Sequence, residues 1–329
     1  MSSNKTVAIL GTRYVDFSIE REVLEPLGVH IVSGDGKDRA AILEQGGTAD
    51  VILAGAAPKF DAQTLAELPC VGIVRYGVGT ESIDLVAAKE LGIWVSRVAD
   101  YGTEAVATHA VAMAMTAMRR LRQADLRVRS GEWGFAPLRP LHLPSAMTVG
   151  IIGTGRIGRH AASQFVGLGF RVLAYDIVKP VDAMPGLTFL SSIHEVIEVS
   201  DIISLHVPGA PDGSALLNAD LLGRLKAGCI IVNTSRGTLI DPQALADGLA
   251  VGKPGFAAMD VFSKEPPNLD IFAAVEDHLL YSPHMAWYTE ESEIDLRYKA
   301  AHEARRLILG ERPKEIVVEP TSGRLETKI

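Results

Sequence analysis

Arg236 in NTSRG, Glu265 in DVFSKEPP and His284 in YSPHMAW are a cation, an acid and an imidazole, each at the end of an apolar run or in the loop after it. In an open α/β sheet the carboxyl ends of strands line the ligand crevice, so such side chains can converge from remote parts of a chain. Their types suit one reaction. Interconverting a 2-oxo and a 2-hydroxy acid needs a cation to clamp the carboxylate and polarise the carbonyl, and a proton donor for the oxygen that gains charge. Arg236 offers a planar fork of donors that stays charged. An imidazole at 284 can give or take the proton, because imidazole titrates near neutral pH. An acid at 265 on the other ring nitrogen would orient the ring and favour imidazolium. Singly, each residue also fits an ordinary role: a surface ion pair, a turn before Pro266 and Pro267, or a cap after Pro283.

The elements that must position these residues centre on Thr148 to Asp176, TVGIIGTGRIGRHAASQFVGLGFRVLAYD, which reads as strand, glycine turn, helix and second strand. Gly153, Gly155 and Gly158 form G-x-G-x-x-G: one for the tight turn, one for close approach of backbone to a pyrophosphate, one for helix–strand packing. The helix start offers unpaired N–H groups to phosphates. Asp176 ends the second strand, where a carboxylate can accept from a ribose diol and repel a 2′-phosphate. The expected cofactor is NAD.

A chain of 329 residues suits two domains. Its 47% hydrophobic and 22% charged residues are those of a globular protein, and its net charge of -8 argues against nucleic acid as a partner. Arg119, Arg120, Arg122, Arg127 and Arg129 form a basic run with Asp125 among them, read as a solvated or subunit-contact face. Cys70 and Cys229 lie in apolar stretches and read as buried thiols. No run is long enough to span a bilayer, so a cytoplasmic location is expected. No His or Cys spacing suggests a metal.

Short apolar runs at Val7 to Leu10, His30 to Val32, Val51 to Ala54, Val71 to Val74 and Ile93 to Ser96 alternate with helical patterns and predict a parallel sheet ahead of the glycine motif. Thr103 to Arg129 predicts one long connector helix. Residues 130 to 144, with Trp133, Phe135 and many breakers, predict an extended arm lying on something apolar. Strands resume at Ile202 to Val207, Cys229 to Asn233, Phe256 to Val261 and Leu279 to Tyr281. A last helix, Glu290 to Leu309, stops at Gly310 and returns to the first domain. The expected fold is α/β: a Rossmann cofactor domain, residues 103–294, inserted in a flavodoxin-like substrate domain, residues 1–102 and 295–329, with a cleft between them. Arg75 opens RYGVGTESID, whose Gly77 and Gly79 can expose N–H groups to an anion. This loop is the candidate carboxylate cradle; an ordinary strand-to-helix turn capped by Thr80 or Ser82 would read the same. His206 reads as hydrogen-bonded and structural or bordering the cofactor, Trp287 as pocket wall or core, and His109 has no partner pattern.

RYGVGTESID, VGIIGTGRIG, LHVP, NTSRG, AAMDVFSKEP and SPHMAW together resemble the blocks of D-isomer-specific 2-hydroxyacid dehydrogenases, in that family's order and over nearly the whole chain. Within it, PHMAWYTEES and EARRLILGERP look most like the C-terminal-binding-protein co-repressors and their bacterial relatives. The resemblance implies Arg236, Glu265 and His284 as catalytic, and Arg75, Tyr76, Val78, Gly79 and Trp287 around the substrate. It implies a cofactor lining of Thr108, Arg156, Ile157, His206, Val207, Pro208, Thr234 and Ser235, with His284 and with Asp260 near the nicotinamide amide. A homodimer built on the connector helices and arm is also implied. GTESID and the Pro-Gly-Ala-Pro-Asp-Gly stretch at 208 to 213 depart from the family pattern. The expected function is NAD-dependent hydride transfer to or from a small 2-oxo or D-2-hydroxy acid. The alternative is a dimeric NADH-sensing binding protein of co-repressor type.

Overall fold

The computed structural model describes residues 5–178, 184–322 and 324. In chain order its strands are β1 (Thr6–Leu10), β2 (His30–Gly34), β3 (Val51–Ala54), β4 (Gly72–Arg75), β5 (Trp94–Arg97), β6 (Thr148–Ile152), β7 (Arg171–Tyr175), β8 (Leu187–Phe189), β9 (Ile202–Leu205), β10 (Ile230–Asn233), β11 (Phe256–Met259), β12 (Leu279–Tyr281) and β13 (Ile316–Val318). Two compact units form, Met1–Gly102 with Thr289–Ile329, and Thr103–Tyr288. The return to the first unit thus falls at Thr289, ahead of the last helix.

In the first unit the sheet order is β13-β5-β4-β3-β1-β2. The central strands are parallel and buried on both faces, which is why β3 reads as an unbroken apolar VILA. β13 adds antiparallel to β5, an edge that sequence alternation does not anticipate. In the second unit the order is β12-β11-β10-β9-β6-β7-β8, all parallel. One apolar cluster packs Ala107, Ala110, Ala114 and Ala117 of helix Thr103–Met118 against Ala161, Ala162 and Phe165 of helix Arg156–Gly167; the other covers the opposite sheet face around Leu205, Ile231 and Leu245. Alanines on the first helix let the two backbones approach.

The single helix expected over Thr103–Arg129 is two, Thr103–Met118 and Leu121–Arg129, broken where Arg120 turns left-handed at φ 50. The arm is irregular as expected, yet several of its apolar side chains face outward: Trp133 is 89% exposed, Leu143 is exposed, and Phe135 is exposed with the Arg139 guanidinium over its ring at 5.1 Å.

Helix starts show how the sequence sets the elements. Asp38, Asp61, Asp84, Ser192, Asn218, Asp241 and Thr289 each accept a backbone N–H three residues on, the usual side-chain N-cap. Asp84, not Thr80 or Ser82, therefore caps the helix after the Arg75 loop, because only its carboxylate sits immediately before the first helical turn.

Candidate active site

Helix Arg156–Gly167 starts differently. Its N-cap is Gly155, which has no side chain with which to cap the first N–H groups. A Cβ at Gly155 would meet nothing within 4 Å, whereas at Gly158 it would strike the Gly153 carbonyl at 2.0 Å. Gly153 has φ +92, and a Cβ there would lie 2.5 Å from the His206 carbonyl. Two glycines are thus required by packing, and the third leaves open space beside uncapped donors, which fits a dinucleotide pyrophosphate. This turn lies where β6 neighbours β9 and the strand order reverses, the expected ligand crevice of a doubly wound sheet.

Asp176 follows β7. Its Oδ2 accepts from the Thr154 N–H at 2.6 Å and the Thr154 hydroxyl at 3.0 Å, and its Oδ1 from the Val178 N–H at 3.1 Å. Partial burial works to raise its pKa, but these hydrogen bonds outweigh it and hold the carboxyl below its ordinary value. Oδ1 keeps acceptor capacity for a ribose hydroxyl. His206 pairs through Nε2 with the Ser204 hydroxyl at 2.9 Å, and burial lowers its pKa to about 4, so the ring is neutral at physiological pH. Thr234 is buried with an unpartnered hydroxyl, a polar atom suited to a bound polar group.

Among the other expected cofactor neighbours, Arg156 and Pro208 are exposed, and Ile157 and Val207 pack partly into the two clusters. Thr108 accepts from Gln164 at 2.8 Å across two helices, and the Ser235 hydroxyl donates to the Leu205 carbonyl at 2.8 Å.

The three loops at β10, β11 and β12 are stitched to one another. Asp260 N–H donates to the Asn233 carbonyl, and Asn233 Nδ2 to the Arg236 carbonyl. Gly237 lies flush on the next loop, where a Cβ would come within 1.9 Å of the Phe262 carbonyl carbon. Arg236 is half-buried, with Nη1 donating to the Ser235 carbonyl at 2.8 Å. Phe262 N–H donates to Glu265 Oε1 at 3.0 Å, and Glu265 Oε2 lies 2.7 Å from His284 Nδ1. The imidazole is thereby oriented, with Nε2 as its outward nitrogen, and its side chain is 48% exposed.

His284 has φ 51, a left-handed conformation that costs a non-glycine residue of the order of 1 kcal/mol and persists only where surroundings enforce it. Its N–H donates to the Asp260 carbonyl at 2.8 Å. The Asp260 carboxylate, 1% exposed, accepts from the Ser282 hydroxyl at 2.5 Å, Met285 N–H at 3.0 Å and Ala286 N–H at 3.0 Å. Its oxygens are thus engaged with the His284 loop. His109, which has no visible partner in sequence, sits with Nε2 3.0 Å from the Ser282 hydroxyl and 3.8 Å from Asp260 Oδ1. Trp287 is half-buried and edge-on to Tyr288 at 5.7 Å.

In the first unit Arg75 is 9% exposed and donates to the Ala54 and Tyr76 carbonyls. Tyr76 points inward: its hydroxyl donates to buried Glu20 at 2.9 Å, and Glu20 also holds Arg297 through two hydrogen bonds of 3.0 and 2.7 Å. That side chain is committed to the core, leaving backbone as the part of residue 76 that a ligand can meet. Val78 and Gly79 are more open, and Gly77 has φ +126.

Residues 111–286 match the profile of the NAD binding domain of D-isomer specific 2-hydroxyacid dehydrogenases. The chain belongs to that family. It is 29% identical to a D-lactate dehydrogenase of Leuconostoc mesenteroides subsp. cremoris over 91% of each chain, and 31% identical to a glyoxylate reductase of Thermofilum pendens over 82% of this chain and 81% of that one. It spans about half the length of D-3-phosphoglycerate dehydrogenases such as that of Mycobacterium leprae, 52% of which is covered. The structure of a D-lactate dehydrogenase from Aquifex aeolicus complexed with NAD and lactic acid superposes with a TM-score of 0.85, at 27% identity, over 96% of this chain and 100% of that one. The cofactor of this family member is NAD, and its fold is two parallel-sheet α/β domains. No helix among the described residues is long and apolar enough to cross a membrane, and those residues include no cluster of three metal-ligating side chains.

Proposed function

We propose that this dehydrogenase interconverts a small 2-oxo acid and its D-2-hydroxy acid, with His284 carrying the proton. The observation that supports this reading is the Glu265–His284 pair, 2.7 Å apart, which fixes one ring nitrogen and leaves the other to a ligand. Bound NADH supplies the hydride equivalent; Gly153, Gly155 and Gly158 with the uncapped helix start would hold its phosphates, and Asp176 its ribose. Arg236 binds the substrate carboxylate and polarises the carbonyl. His284 Nε2–H gives its proton to the oxygen during reduction and recovers it in oxidation, while Glu265 keeps the ring from turning. Arg75 is a second carboxylate-binding cation in this reading, and Trp287 shapes the pocket for an apolar side chain.

We also propose a homodimer. Leu121, Leu126 and Val128 of the short second helix and Trp133, Phe135 and Leu143 of the arm are exposed apolar side chains close in sequence, of the kind that mark protein contacts. Light scattering tests this. Steady-state assay of a panel of 2-oxo acids with NADH tests the enzymatic reading, with His284→Ala and Arg236→Ala as controls that should lose turnover and keep NADH binding. Tight NADH binding with negligible turnover of every acid would sink it and point to an NADH-responsive binding protein, as the likeness to co-repressors suggests.

A further inference from the structure

His109 lies on helix Thr103–Met118, 173 positions before Ser282, and is 24% exposed. The Ser282 hydroxyl has a single proton and two acceptors in range, Asp260 Oδ1 at 2.5 Å and the Met113 sulfur at 3.8 Å. A charged oxygen at the shorter distance takes it over a thioether. The contact between Ser282 Oγ and His109 Nε2 must then run the other way, with Nε2–H donating. This assigns the proton on His109 and orders the chain as His109 to Ser282 to Asp260.

Asp260 in turn accepts from residues on both sides of His284, namely Ser282 before it and Met285 and Ala286 after it, while its carbonyl takes the His284 N–H. The carboxylate therefore clamps a three-residue arch with His284 at its left-handed apex. His109 supplies the outermost donor of this clamp, from a helix whose neighbours Ala107 and Ala110 are wholly buried. Without that donor, Ser282 Oγ loses its hydrogen bond from a fixed element and can swing toward Met113, which removes one of the three donors on Asp260.

We propose that His109 is a positioning residue, holding the His284 arch through Ser282 and Asp260. The inference rests on His284 being the proton carrier only for its kinetic consequence; the arch itself is independent of that reading. The test compares His109→Phe, which keeps a ring and deletes the donor, with His109→Gln, whose amide N–H can reach the same hydroxyl. Side-chain histidine NMR of the NADH-bound protein reads the order of the His284 ring directly. Wild type and His109→Gln should give one sharp His284 signal, and His109→Phe a broadened or doubled one. In kinetics, His109→Phe should lower kcat about 10- to 50-fold, with KM within about threefold and NADH affinity unchanged. His109→Gln should restore kcat to within about threefold of wild type. If His109→Phe does not fold, Ser282→Ala opens the chain at its middle and is read the same way. A sharp, unshifted His284 signal in both His109→Phe and Ser282→Ala would overturn the proposal. Should wild type turn over no 2-oxo acid, the functional reading fails and the NMR comparison still decides this one.

Discussion

Glu265 faces two partners at once: Oε2 lies 2.7 Å from His284 Nδ1 while Oε1 accepts the Phe262 N–H at 3.0 Å. The acid is thus anchored to its own loop before it anchors the imidazole. Glu265→Gln keeps the shape but removes the charge and turns one of the two acceptor oxygens into an NH2 donor, so it can accept from the Phe262 N–H or from the imidazole but not from both. We expect kcat to fall by about 10- to 100-fold, the scale of general acid–base contributions, with substrate KM nearly unchanged. Stopped-flow single turnovers with NADH would check it, and an unaltered rate would remove Glu265 from the mechanism.

Thr154 gives Asp176 Oδ2 two hydrogen bonds, from its N–H and its hydroxyl, so it helps set the carboxylate's rotamer. Thr154→Val removes the hydroxyl and leaves the N–H; a lost hydrogen bond to a charged group is worth about 1.5–3 kcal/mol, and most of this falls on rotamer freedom at Asp176. NADH affinity should weaken by about threefold to tenfold. Asp176→Asn should narrow the gap between NADH and NADPH, because it removes repulsion of the 2′-phosphate. Titration calorimetry with both cofactors decides both. The carboxyl sits below its ordinary pKa, so its charge, and the preference it gives, should persist from pH 8 down to pH 5 and fade only in stronger acid.

His206 is held neutral by burial, with its pKa lowered to about 4. The unfolded chain takes up this proton near pH 6.5, before the folded one does, so stability rises with pH across that window and falls on acidification from 6.5 toward 4. The contribution is up to about 3 kcal/mol, at 1.36 kcal/mol per pH unit. His206→Gln should therefore lose less stability than wild type between pH 6.5 and 4. Urea unfolding at both pH values measures the difference, and parallel slopes would contradict the account.

The ion pair of Glu20 and Arg297 is buried, with Tyr14 stacked 4.7 Å from the guanidinium carbon and Tyr76 bonded to the same acid. Removing one partner strands a buried charge. Arg297→Met should cost about 3–5 kcal/mol, whereas Glu20→Leu combined with Arg297→Met should recover much of it. Thermal unfolding of the single and double variants, read at one pH, separates the two cases.

Much of the fold was open to reading because the signals are local. The β3 run VILA is flanked by breakers, Asp241 before Pro242 marks a helix start, and Gly310 marks a stop, so strand and helix positions follow from adjacent residues. The glycine turn was legible for the same reason. What escaped depends on contacts remote in sequence. Tyr76 turns inward because Glu20 lies 56 positions earlier, and His109 acquires a partner 173 positions later. The break at Arg120 has no glycine or proline to announce it. β13 is three residues long and gains its place only by pairing antiparallel with β5. The three charged loops could be nominated from residue type, yet Asp260 shows the limit: its acidity was visible, but not that the loop around His284 would take up its oxygens.

The edge strand β13 completes the sheet begun by the first hundred residues, and the helix Glu290–Ile308, whose Arg297 and Tyr298 reach Glu20 and Glu22, belongs to the same unit. During synthesis from the N-terminus, that sheet waits for β13 until Ile316–Val318 have emerged, after every strand of the inner segment. The inner segment, Thr103–Tyr288, has the strands of its own sheet in hand earlier, so that sheet can close while the outer one still lacks an edge.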